Sequence, residues 1–213
     1  MKLLYIYDAL CGWCYGFSEH IRQFEMAHKD EFKVEVYSGG MVTGDRVGPI
    51  GQVAAYIADA YQQVEKSTGV KFGKAFLEKL EEGTQEFNSL PSGIAMTVFK
   101  SFNTTHQLAY AADLQKAVYL HGKESTDYAY FAQCAEAYGI NKQEFLERCK
   151  QEKYEKATLS EYQFVNQLGV QGFPTTILIG KKQAIALARG FIPNPVLEEQ
   201  YQKAVVMLSE LKG

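Results

Sequence analysis

The 213-residue chain is poor in cysteine, proline and tryptophan, with 4, 5 and 1 of them, and each shortage or absence excludes something. Four cysteines are too few for the disulfide framework on which small secreted domains rely. No apolar run approaches the ~20 residues that a membrane-spanning helix needs, so no membrane association is expected. Neither sign of charge dominates: 22 basic and 25 acidic residues leave a formal net charge of −3, with a pI near 5.9. Such a chain lacks the basic field that concentrates a protein on nucleic acid. Internal repeats and low-complexity linkers are also missing. Chemistry-bearing residues begin as early as Cys11, which leaves no room for the apolar segment and cleavage site of a secretory leader. A cytoplasmic location is the expectation.

What is present patterns cleanly. Leu3–Tyr7 is a short apolar and aromatic run closed off by Asp8 and Gly12, the mark of a buried strand. Trp13, Phe17, Ile21 and Phe24 then recur at spacings of three and four, which predicts an amphipathic helix from Gly12 to near Lys29. Lys33–Tyr37 alternates with period two and stops at Gly39-Gly40, a second strand that the intervening helix makes parallel to the first. From about Gln52 to Leu168 the texture turns to Ala, Gln, Glu, Lys and Tyr, the composition of a block of helices. Within it Thr104 or Thr105 is placed to cap a helix running to Leu120 before Gly122, and Asn141 with Glu144 has the spacing of a capping box. Strand character returns at Thr175–Ile179, turns at Gly180–Lys182 and resumes from Gln183 to Ala188, which reads as a hairpin. A last helix follows, with Asn194 as its cap, Pro195 at its first position, and Leu197, Tyr201, Ala204, Val205 and Leu208 as its apolar face. The expectation is an α/β fold, βαβ then helices then ββα. Residues 1–50 and 169–213 would form the sheet-bearing domain, and 51–168 an inserted helical subdomain.

Cys11-Gly12-Trp13-Cys14 is the sharpest local signal. At a helix start the first thiol meets free amide hydrogens and the positive end of the helix dipole, which favours its thiolate. Cys14, one turn inside, is close enough to attack a mixed disulfide formed on Cys11. The same spacing also supplies half of a zinc site. The other half is missing: fourteen residues separate Cys134 from Cys149, and no histidine pair has ligand spacing. A second signal is Gly172-Phe173-Pro174-Thr175, just before the returning strand, where a proline cannot extend a central ladder. Local sequence alone favours an ordinary trans turn there.

Taken together, the strand, the CxxC at a helix start, the second strand, the helical insertion and the Gly-Phe-Pro-Thr before a ββα ending resemble the DsbA-like branch of the thioredoxin superfamily. More narrowly, Asp8 to Gly16, Gly39-Gly40-Met41 and the helix from Ser89 to Lys100 resemble cytoplasmic DsbA-like proteins of the protein-disulfide isomerase kind, a group near the FrnE-type proteins. The resemblance implies a thioredoxin-like fold and a thiol–disulfide oxidoreductase with Cys11 and Cys14 catalytic. It also implies that Pro174 is cis and faces them, so that Phe173 offers backbone groups to an extended substrate, with Trp13 and Thr175 beside it. Periplasmic DsbA has Pro-His between its cysteines; this chain has Gly-Trp, which removes a histidine expected to steady the thiolate.

The remaining candidates have plainer readings. Asp8 fits a turn hydrogen bond better than proton transfer, and His20 a packing or surface role. Trp13 suits either the site's entrance or the core. Cys134 and Cys149 are read as free buried thiols, and Tyr128, Tyr130, Phe131 and Tyr138 as helix packing. The expected partners are a protein or small-molecule disulfide and glutathione, with no nucleic acid, no metal and no cofactor. Nothing in the sequence sets an oligomeric state. Two rival functions share the architecture. One is glutathione-dependent small-molecule chemistry, as in kappa-class transferases and 2-hydroxychromene-2-carboxylate isomerases, which typically place serine where Cys11 stands. The other is a non-enzymatic binding module whose CxxC serves structure or metal.

Overall fold

The first apolar run is a strand because every residue in it after Lys2 is removed from water. In the computed structural model, which describes residues 1–102 and 105–210, β1 spans Lys2–Tyr7 and all but Lys2 are buried. Helix α1 (Gly12–Ala27) buries Phe17, Ile21 and Phe24, the stripe that its three-and-four spacing requires. Strand β2 (Lys33–Ser38) pairs parallel with β1, from Lys2 opposite Lys33 to Tyr7 opposite Ser38. The hairpin strands β5 (Thr175–Ile179) and β6 (Ala184–Arg189) complete a four-stranded sheet in the order β2-β1-β5-β6. Strand β5 runs antiparallel to both neighbours, and a bulge at Leu187 interrupts its register with β6.

Between β2 and β5 lies the expected block of helices, seven among the described residues: α2 (Ala54–Thr68), α3 (Lys74–Glu82), α4 (Ser89–Phe102), α5 (Gln107–Tyr119), α6 (Tyr128–Glu136), α7 (Lys142–Cys149) and α8 (Glu152–Gln167). A two-residue ribbon, β3 (Gly48–Pro49) against β4 (Glu86–Phe87), interrupts them. Sequence periodicity could not announce elements that short. Helix α9 (Asn194–Glu210) closes the chain.

Helix ends test the capping expectations. Asn141 caps α7, its Oδ1 accepting the Glu144 N–H at 2.9 Å. Helix α5 begins later than expected, at Gln107 with His106 in the cap position, so Thr105 sits outside it and Thr104 lies outside the described residues. Asn194 is likewise not a cap. The first amides of α9, from Val196 and Leu197, reach the Pro193 carbonyl, while the Asn194 amide is drawn across to Gln23 of α1 at 3.2 Å.

Two cores result. The larger joins the sheet to α1, α4–α7 and α9 through residues such as Tyr5, Phe17, Phe99, Phe131 and Tyr201. The smaller is built on the far side of α1 from α2, α3 and the end of α5, around Tyr15, Val64, Phe72, Phe76 and Tyr119. Along the outer margin of the sheet, side chains occupy the backbone of β2. Val36 N–H donates to Gln107 Oε1 at 2.9 Å and Ser38 N–H to Glu161 Oε1 at 2.6 Å, while Lys100 Nζ donates to the Val36 carbonyl at 3.0 Å. Lys100 and Glu161 also pair with each other.

Candidate active site

The site begins where β1 stops. Asp8 turns the chain, and its buried carboxylate gathers three segments: Oδ1 accepts Leu10 N–H and Ser89 Oγ–H, both at 2.9 Å, and Oδ2 accepts Met41 N–H at 2.8 Å. Burial pushes its pKa up, and these donors offset only part of that rise. Hydrogen bonds to a carboxylate are worth about 1.5–3 kcal/mol each, so Asp8 acts as a clamp between the start of α1, the loop after β2 and the start of α4. Ser89 adds a second tie between the last two, with Val42 N–H donating to its Oγ at 3.0 Å.

Cys11 occupies the cap position of α1, and its Sγ accepts the Cys14 N–H at 3.4 Å. The Cys11 thiol in turn donates to the Phe173 carbonyl at 3.4 Å. The two sulfurs are unlike. Cys11 keeps 6% of its surface exposed, whereas Cys14 has none, and burial, together with the neighbouring Cys11 thiol, pushes the Cys14 pKa well up. Both are free thiols. Behind Cys14 stands Tyr5, whose phenol is pushed well above the ordinary tyrosine value by burial and then by the two thiols.

The Phe173–Pro174 peptide is cis, as the resemblance implies and local sequence alone would not. The Pro174 carbonyl accepts Gly190 N–H at 2.7 Å, and Thr175 Oγ1–H donates to the Gly172 carbonyl at 2.7 Å, so both are engaged within their own loop. The Phe173 ring packs against Gly39, where an added Cβ would come within 2.1 Å of it. Gly40, at φ +67, leaves room for the Tyr162 ring in the same way. The Gly39-Gly40-Met41 stretch is thus the seat of the proline loop and one arm of the Asp8 clamp.

Trp13 is half-buried and stacks on Phe191 at 6.2 Å between ring centroids. Its other side faces a cavity of 490 Å³ that opens beside Cys11 and is walled by α2, Met41 and Tyr119. The side chains of the α2 wall are not among the residues that the sequence singles out. Their signal is present, since Val53, Tyr56, Ile57, Ala60, Tyr61 and Val64 recur at helical spacing. The Tyr119 hydroxyl donates to the Leu10 carbonyl, holding the floor to the start of α1.

Other candidates lie elsewhere. His20 packs against Phe17 and Phe191, with its Nε2 3.4 Å from the Thr68 carbonyl. Phe131 and Tyr138 pack α6 onto α5, Tyr138 reaching Asp113 at 2.5 Å, and Tyr128 and Tyr130 lie against the same core. Cys134 and Cys149 are free and half-buried on α6 and α7. Burial and the charges of Asp113 and Asp127 push Cys134 up to about 11, and burial pushes Cys149 up to about 12. Among the described residues no three His, Cys, Asp or Glu side chains converge to hold a metal ion, and no helix is long and apolar enough to cross a membrane.

A CxxC pair at a helix start, facing a cis-proline loop on a sheet interrupted by helices, defines the thioredoxin-like class. Within it, the chain belongs to the DSBA-like thioredoxin domain family, whose model matches residues 3–202. Solved structures agree on the fold. A Nitrosomonas europaea protein described as a candidate protein disulfide isomerase superposes with a TM-score of 0.84 at 21% identity, over 97% of this chain and 98% of that one. The cytosolic disulfide reductase DsbM of Pseudomonas aeruginosa superposes at 0.77 with 24% identity, over 100% and 99%; it has also been solved with glutathione. A 2-hydroxychromene-2-carboxylate isomerase superposes at 0.63 with 13% identity over the whole of both chains. A comparison with curated proteins gives no match.

Proposed function

We propose that this member of a disulfide oxidoreductase family is a cytoplasmic dithiol reductase in which Cys11 attacks and Cys14 resolves. The observation that carries the reading is the asymmetry of the pair. Cys11 alone reaches the surface, at a helix cap and beside a cavity, while Cys14 lies wholly buried one turn below. In the first step the Cys11 thiolate attacks a disulfide RSSR′, forming a Cys11–SR bond and expelling R′S⁻, which takes up a proton. Cys14, deprotonated in its turn, then attacks Cys11 Sγ. The Cys11–Cys14 disulfide forms and RS⁻ leaves, so the substrate gains two electrons and two protons from the dithiol. Two equivalents of a monothiol of the glutathione kind return the enzyme to its reduced form. The glutathione-containing structure of the similar P. aeruginosa reductase supports that choice. Phe173 and Pro174 form the wall opposite Cys11, Trp13 and the α2 side chains the entrance, and Thr175 braces the loop from behind. The division into a sheet-bearing domain of residues 1–50 and 169–213 and a helical insertion of 51–168 belongs to the same reading, with the insertion lending the second wall.

The likeness to the 2-hydroxychromene-2-carboxylate isomerase favours a second reading, glutathione-dependent isomerisation on Cys11 alone. Cys14→Ser separates the two. Exchange predicts that this variant, given glutathione disulfide, stalls with one glutathione held on Cys11, visible by intact mass, while turnover falls roughly a hundredfold. Full turnover without an adduct overturns the exchange reading. For direction, a Cys11–Cys14 potential near the glutathione poise of about −220 to −260 mV supports a reductase, and one near the about −120 mV of a strong oxidant overturns it.

A further inference from the structure

The cavity beside Cys11 is large and lined mainly by apolar side chains. Its 490 Å³ falls within the about 300–1,000 Å³ typical of sites that enclose a small organic group. The inner wall is Met41, Val64, Phe72, Phe87 and Tyr119, and the Tyr119 hydroxyl is already committed to Leu10. The outer wall is one face of α2, where Ile57 and Ala60 look inward and Val53 and Tyr56 stand 41% and 71% exposed at the mouth. Large apolar side chains left in water at the lip of an apolar hollow are a surface that gains by being covered.

Charge is confined to the rim. Asp45 and Arg46 are the charged residues of the lining, both exposed on the short turn Gly44–Arg46, and neither makes an ion pair among the described residues. Each half of glutathione disulfide carries two carboxylates and an ammonium group. Set against this wall, most of those charges would lose water without gaining a partner. An uncharged side chain flanking the reacting sulfur would instead bury apolar surface on both sides.

Building on the exchange reading, we infer that the cavity seats a bulky apolar group carried next to the reacting sulfur. The oxidised substrate is then a peptide disulfide with an aromatic or branched aliphatic neighbour, and glutathione serves as the returning thiol.

Two short peptides test this, identical except for Phe or Ser beside a cysteine held as a mixed disulfide with 2-mercaptoethanol, with oxidised 2-mercaptoethanol as a compact third substrate. The wild type is expected to show kcat/KM at least about tenfold higher for the Phe peptide. Ala60→Phe, which fills the cavity, and Ile57→Gln, which makes its wall polar, should each bring that ratio towards one. Ala58→Phe, on the exposed side of the same helix, should keep it. A wild-type ratio near one, or a ratio that survives both cavity variants, overturns the assignment. Loss of all turnover, the compact disulfide included, would instead bring down the exchange reading on which it rests.

Discussion

Two pairs of cysteines sit in this molecule about as differently as thiols can. Cys11 and Cys14 share one helix start, where the Cys14 backbone amide points at the first sulfur and a proline loop faces it. Cys134 and Cys149 lie on separate helices, half-buried among aromatic rings, with their protons held more tightly than in free cysteine. Residue type is the same, and burial raises Cys14 as it raises the other two, so the difference is one of place: one pair shares a helix start opposite the proline loop, and the other is divided between two helices. The comparison teaches that a count of cysteines says little about chemistry until each has a position on an element.

The comparison breaks most sharply if the wrong pair proves necessary. Cys11→Ala is expected to abolish disulfide exchange, while the double variant Cys134→Ala, Cys149→Ala should retain the wild-type rate within about twofold. Steady-state turnover of a model disulfide decides the matter, and a double variant as dead as Cys11→Ala would reverse the assignment.

A smaller effect concerns the loop that faces the first pair. Gly39→Ala puts a methyl group into the Phe173 ring, so that ring must shift, on the residue whose carbonyl meets Cys11. Overpacking of this kind costs about 1–3 kcal/mol. Denaturant midpoints should show that loss, exchange should slow by roughly tenfold, and Phe173→Ala added to Gly39→Ala should recover much of the stability. If the double variant is no better than Gly39→Ala alone, the clash is not what matters.

The finest test is pH. With pKa values raised to about 11 and about 12, Cys134 and Cys149 expose roughly a thousandth or less of their thiolate at pH 8. Because a raised thiol pKa keeps the proton on, their alkylation should climb only as the pH approaches 11. In Cys11→Ala, mass spectrometry of iodoacetamide-treated protein from pH 7 to 10.5 should show slow labelling with that late rise. Rapid labelling of either at pH 8 would erase the contrast between the two pairs.

How much of this was legible in the sequence depended on range. The sheet strands, α1, the capping of α7 by Asn141 and the CxxC at a helix start are all written in patterns a few residues long, and periodicity or spacing reads them directly. The resemblance to a known family supplied the cis Phe173–Pro174 bond, which no short-range rule favours. The rest is written across distance. Asp8 meets Met41 and Ser89, 33 and 81 residues away, and Gly39 makes room for Phe173 of a separate loop. Neither contact leaves a local trace beyond a lone acid and a glycine pair. The α2 wall is the instructive miss: Val53, Tyr56, Ile57 and Ala60 had the right spacing for an apolar face. Periodicity shows that a face exists, however, and only the packing of α2 beside α1 shows what it looks onto.

The filled backbone of β2 has a consequence for assembly. Gln107, Lys100 and Glu161 stand where the next strand of a growing sheet would bond, so recruitment of a neighbour there would first have to strip a cation and an anion from each other. Cross-molecular ladders, whether in an orderly dimer or in an aggregate, are therefore steered away from that margin and towards β6, whose bulge at Leu187 breaks the even spacing such a ladder would need.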